Sequence, residues 1–105
     1  MDDLQRVLQH LDELEAVLKQ HNYPVANTGA MARIDNLVTR MRGVDSYISQ
    51  KAGQLKELAG MFYSARRHLK YPGGSETLYA AILHDLPSRI RGQAEHIARL
   101  RQGTE

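Results

Sequence analysis

Five histidines, His10, His21, His68, His84 and His96, are the side chains of this sequence best suited to hold a metal or move a proton. No two of them stand three or four residues apart, the spacing that puts two ligands on one helical face. The Glu-x-x-His motif of di-iron bundles is missing, and there is no cysteine to supply a thiolate. The expectation is surface and helix-end histidine, with no metal and no cofactor. Ser64 and His68 stand four apart with Tyr63 beside them, the minimum for an activated nucleophile. No acid sits at helical spacing to orient His68, and no oxyanion-hole element is evident. Asp12, Glu13 and Glu15 read as a solvated helix face rather than a general acid and base. No catalytic residue is expected, and the chain is read as not an enzyme.

Anion chemistry has two candidates. Gly73-Gly74-Ser75-Glu76 resembles a phosphate-binding turn before a helix, but no Lys follows and Glu76 would repel an anion, so it reads as turn and cap. Arg66, Arg67 and Lys70, clustered around His68, are the candidate anion or nucleic-acid contacts. Their place at the end of a helical pattern is also where cations favour the helix dipole. Arg89, Arg91, Arg99 and Arg101 follow farther on, but at about 100° per residue they scatter around a helix instead of forming one phosphate-facing stripe. Nucleic-acid association through the basic C-terminal half is therefore an alternative that is not favoured. A small ligand-binding or metal-binding bundle is a second one.

The elements that must position these residues are helices. Leu4, Val7, Leu11, Leu14 and Leu18 recur at spacings of three and four, an amphipathic helix over 2–20 stopped by Asn22-Tyr23-Pro24. Asn27 or Thr28 can cap a second helix, whose apolar pattern begins at Met31 and does not break until Tyr71-Pro72-Gly73-Gly74. A helix over 30–70 would hold about forty residues and run roughly 60 Å, with weak points at Gly43, Gly53 and Gly60. Ile34, Met41, Ile48, Leu55, Phe62 and Leu69 fall on one line of that helix at heptad spacing. Asp45 and Arg66 fall on the neighbouring line, where a buried charge must be paired, and are the candidate polar seam. Ser75 is read as the cap of a short helix over 75–84. Pro87 opens a last one over 87–102, with Ile90, Ala94, Ile97 and Leu100 on its inner face.

The sequence thus predicts one all-α domain over 1–105, an antiparallel bundle of three to four helices around one long central helix. Its 105 residues, 42% hydrophobic and 25% charged, suit a single core. The start Met1-Asp2-Asp3 is acidic where a targeting peptide would be basic, no apolar run approaches the roughly 20 residues of a membrane span, and cysteine is absent. A cytoplasmic protein with no membrane segment is expected.

The net charge is only +2, yet Asp2, Asp3, Asp12, Glu13 and Glu15 gather in the first helix while bases outnumber acids in the C-terminal part. The first and third helices look too short to cover the second half of the spine. Leu58, Met61, Phe62, Tyr63, Tyr71 and Tyr79 are the candidate interface, because uncovered apolar surface and tyrosine mark contact surfaces. The reading is a small non-catalytic helical interaction or adaptor module that meets itself, as a homodimer or larger coiled-coil-like oligomer, or another protein.

Overall fold

The computed structural model describes residues 2–103. Asp2 opens the first helix, α1 (Asp3–Gln20), by accepting a hydrogen bond from the Gln5 N–H at 2.8 Å. The second, α2 (Thr28–Met41), begins the same way, with the Asn27 side chain accepting from the Ala30 N–H at 3.0 Å.

The expected forty-residue spine is two helices. The chain leaves α2 at Arg42, turns through Gly43 at φ 88°, and re-enters a helix, α3 (Ser46–Phe62), capped by Asp45. One Asp45 carboxylate oxygen accepts from the N–H groups of both Tyr47 and Ile48, at 3.0 and 3.1 Å. A left-handed glycine followed two residues later by a capping aspartate closes one helix and starts another, and the heptad pattern on either side could not show that.

The second half also ends earlier than expected. After Phe62 the backbone turns, and Arg67–Lys70 form one 3-10 turn. Gly73 and Gly74, both at positive φ, then lead into α4 (Gly74–Ala80), so the helix starts ahead of Ser75 and Gly73 occupies the cap.

The expected break between a helix over 75–84 and another over 87–102 is absent. A wide turn, Ala81–Asp85, carries α4 directly into α5 (Leu86–Gly103), with the Leu86 N–H reaching back five residues to the Ala81 carbonyl. Pro87 has no N–H and its ring collides with the carbonyl four residues earlier in a regular helix. A wide turn just ahead of it keeps the helix going where an α-helical turn would break. The longest helical path, 74–103, is therefore at the C-terminus and runs about 45 Å.

Four helices pack side by side: α1 against α2 and α5, and α3 against the same two. Tyr79 reaches Leu18 while Arg91 reaches Asp12 and Glu15, so α4–α5 runs antiparallel to α1. Met31 lies beside Gly60 and Arg42 beside Gly53, so α2 and α3 are antiparallel too. The product is an up-down-up-down bundle measuring 51 × 25 × 20 Å.

Its core is continuous. Leu4, Val7, Leu11, Leu14 and Leu18 of α1 meet Ile34, Val38 and Met41 of α2; Ile48, Leu55 and Phe62 of α3 meet Leu78, Ile82 and Ile90 of the C-terminal helix. The heptad line from Ile34 to Phe62 is wholly buried, although Gly43 cuts it. Leu69, the line's last member, is 72% exposed because α3 has ended seven residues earlier.

Candidate binding surfaces at one end and along the α2–α3 groove

The end of the rod built by the α1–α2 loop and the α3–α4 connection is held by aromatic residues. The Phe62 ring packs edge-on against Tyr63 at 5.0 Å and tilted against Tyr79 at 5.1 Å. The Tyr63 hydroxyl donates to the His21 carbonyl at 2.6 Å, and the Tyr79 hydroxyl donates to the Leu18 carbonyl at 2.9 Å. Both acceptors lie at the C-terminal end of α1, where helix carbonyls lack intrahelical partners. Burial, with Tyr79 close by, pushes the Tyr63 phenol well above its usual value, and burial raises Tyr79 as well.

Two of the six residues of the expected interface are thereby taken into the core. Phe62 and Tyr63 are buried, while Leu58, Met61, Tyr71 and Tyr79 lie half-buried against the core. Breaking the spine after Phe62 lets the 3-10 turn and α4 fold over this face. Part of the cover expected from a second chain is thus supplied within the same one.

Asp45 and Arg66 form no polar seam. Asp45 caps α3 and also accepts from Gln93 Nε2 at 3.4 Å, whereas Arg66 is exposed beyond the helix end. The Ser64–His68 pair is a backbone device. Ser64 Oγ donates to the Met61 carbonyl and accepts from the His68 N–H at 3.3 Å, while His68 Nδ1 faces the Ser64 carbonyl at 3.2 Å. The imidazole does not contact the hydroxyl, so the pair closes the end of α3 with no nucleophile–base contact.

Arg66, Arg67 and Lys70 stay together on the outside of the 3-10 turn, around the buried His68. Leu69, exposed, lies between Arg67 and Lys70 in the same turn. Tyr23 and Val25, 73% and 54% exposed, stand on the α1–α2 loop at the same end of the rod. A hollow lined by Asn22, Pro24, Phe62, Ser75, Glu76 and Tyr79 shows how closely that loop and the start of α4 approach, and it brings the Glu76 carboxylate to this end.

Arg67 also overlooks a groove of about 480 Å³ along α2 and α3, shared with Met31, Arg42, Lys56 and Glu57 and floored by Gly53 and Gly60. Lys56 pairs with Asp35 at 2.8 Å. These residues gave no signal as a group in the sequence, because Arg42 and Gly53 come together only once the chain reverses at Gly43.

A second hollow of about 350 Å³ lies at the wide turn, between Glu15, His84, Asp85, Ser88 and Arg91. Burial pulls the Arg91 guanidinium down, but its hydrogen bonds to Asp12 and Glu15, both 3.1 Å, outweigh that and raise it above its usual value. Arg91 thus ties α5 to the acidic face of α1. Among the described residues no group of three His, Asp or Glu side chains could hold a metal ion, and no helix is long and apolar enough to cross a membrane. No protein-family model, curated protein or solved structure matches the chain, so a reading of its role rests on these surfaces alone.

Proposed function

We propose that the chain is a non-catalytic helical interaction module whose loop end docks an acidic protein surface. The observation that carries this is the grouping of solvent-facing Tyr23, Val25 and Leu69 with exposed Arg66, Arg67 and Lys70 at that end. Exposed apolar side chains sharing one end of the rod with a cluster of cations have the composition of a contact surface: burial supplies affinity and the charges guide approach. Self-association is the weaker form of this reading. The uncovered spine that argued for it is covered in part within one chain, and two copies meeting at this end would bring like charges together.

The same three cations favour a second reading, in which the end contacts a nucleic-acid backbone. The two are separated by affinity capture from the source cells with the parent chain, a Tyr23→Glu/Leu69→Glu variant and an Arg66→Gln/Arg67→Gln/Lys70→Gln variant. A protein partner is lost with both variants and withstands nuclease. Capture that nuclease abolishes and that ignores the Tyr23 and Leu69 changes supports nucleic acid instead. Capture unchanged in both variants defeats the loop-end surface.

A further inference from the structure

Gly53 and Gly60 are helix-interior glycines that no backbone requirement explains. Neither has positive φ, and helix glycine is destabilising relative to alanine. Nor do they admit a neighbouring backbone. A Cβ at Gly53 would stand 3.3 Å from the Arg42 guanidinium, and one at Gly60 would stand 3.9 Å from the Met31 methyl. Gly53 makes room for the Arg42 guanidinium that lies over it, and Gly60 leaves the groove floor open seven residues, roughly 10 Å, farther along α3.

The walls are charged. Arg42 stands at the Gly53 end, Arg67 reaches the groove from the 3-10 turn that follows α3, and Lys56 lies between with its charge met by Asp35. Glu57 is the opposing acid within the groove. Among the described residues neither the Arg42 nor the Arg67 side chain makes an ion pair or hydrogen bond, and both are exposed, so their donor forks are open to a ligand with oxyanion groups.

We propose that this groove binds an elongated phosphate anion, a polyphosphate chain or a polyphosphate ester, held at its two ends by Arg42 and Arg67 over the glycine floor. A single phosphate can satisfy only one end. A chain of linked phosphates can reach from one toward the other, and glycine keeps side-chain atoms out of its path. The groove shares Arg67 with the loop-end docking surface, and the two are told apart by Arg42, which belongs to the groove alone, and Leu69, which belongs to the loop end alone.

The test is calorimetric titration of the full chain with inorganic tripolyphosphate, orthophosphate and suberate at low salt. Tripolyphosphate should bind saturably, and orthophosphate and the dicarboxylate at least about tenfold more weakly. Arg42→Gln and Arg67→Gln should each weaken tripolyphosphate binding about tenfold, as expected for losing one charge-assisted contact. Glu57→Gln should strengthen it a few-fold, and Gly60→Leu should abolish it by filling the floor without altering charge. Helical circular dichroism and the melting temperature show that each variant is folded. ATP titrated in parallel separates the sources: affinity equal to that of tripolyphosphate means the chain is read alone, and tighter binding means the site takes the ester. No saturable binding by the parent, equal binding by Arg42→Gln, or orthophosphate or suberate matching tripolyphosphate would each overturn the proposal. Leu69→Gln, which removes an exposed apolar side chain of the loop end without adding charge beside Arg67, should leave tripolyphosphate binding unchanged.

Discussion

Gly43 and Asp45 decide whether this chain is a four-helix bundle, and their replacement measures how strongly. Nothing lies within 4 Å of a Cβ built on Gly43, so Gly43→Ala meets no steric neighbour and its cost is conformational. Holding an L-residue at φ 88° costs about 1–2 kcal/mol. Asp45→Ala removes the acceptor for two α3 N–H groups and for Gln93, a cap loss of about 1–2 kcal/mol. The two sites share one turn, so their effects need not add, and about 2–3 kcal/mol is expected for the double variant. For a domain of this size each kcal/mol lowers the melting temperature by about 4–8 °C. Thermal and urea unfolding followed by circular dichroism read the loss, and Asp45→Asn, which keeps an acceptor, should recover most of the cap. The apolar pattern across Met41–Ile48 is compatible with a fused helix, which gives the refutation a definite form. If Gly43→Ala/Asp45→Ala melts no lower than the parent, or becomes a more stable dimer by light scattering, the pattern outweighs the turn and these two residues do not set the fold.

The same unfolding assays test three further expectations. Phe62→Ala should cost about 3–5 kcal/mol because the ring is fully buried against Tyr63 and Tyr79, while Leu69→Ala, on the same heptad line, should change stability by less than about 0.5 kcal/mol; equal effects would contradict the end of α3 at Phe62. Gly60→Ala should stabilise by up to about 1 kcal/mol, since the new methyl meets only the Met31 Cε at ordinary contact distance, and a lower urea midpoint would show that the groove floor is needed for packing. Tyr63→Phe should cost about 1 kcal/mol by leaving the His21 carbonyl without its phenol donor. The Tyr63 phenol ionises higher in the folded chain than in the unfolded one, where it titrates near 10.0. Once the pH passes that value the unfolded chain alone loses the proton. Stability from this group is therefore complete below about pH 10 and falls as pH rises beyond it. Urea midpoints at pH 8, 10 and 11 should decline in the parent and less in Tyr63→Phe, and parallel declines would place the pH effect elsewhere.

Periodicity was a sound guide to most of the inside, although Leu100, expected on the inner face of the last helix, is 56% exposed, and a poor one to where helices stop. Leu4 through Leu18 and Ile34 through Phe62 are buried as their spacing requires, because an apolar stripe at helical period has no other stable place. Helix ends depend on a different kind of information. The α2–α3 turn spans four residues, Arg42–Asp45, and this offset returns Ile48 to the side of the bundle that Met41 faces. A heptad count passes through such a turn without registering it. Gly43 and Asp45 carry the signal in their types, glycine for the left-handed corner and aspartate for the cap, but on a continuous helix Asp45 falls on the seam line and its capping role is hidden. Pro87 misleads in the opposite direction: it reads as a stop, and the wide turn at Ala81–Asp85 absorbs it. Both errors moved apolar surface. A spine too long and a C-terminal helix too short left Phe62 and Tyr63 without neighbours, and a second chain was needed to supply them. With the breaks in their true places, the loop end and the α2–α3 groove emerge from contacts between segments distant in sequence, where one-dimensional spacing carries no signal. Arg66, Arg67 and Lys70 could be picked out as a cluster because they are neighbours in the chain. Their companions Tyr23, Val25 and Arg42 could not, since only the reversals after α1 and α2 bring them within reach.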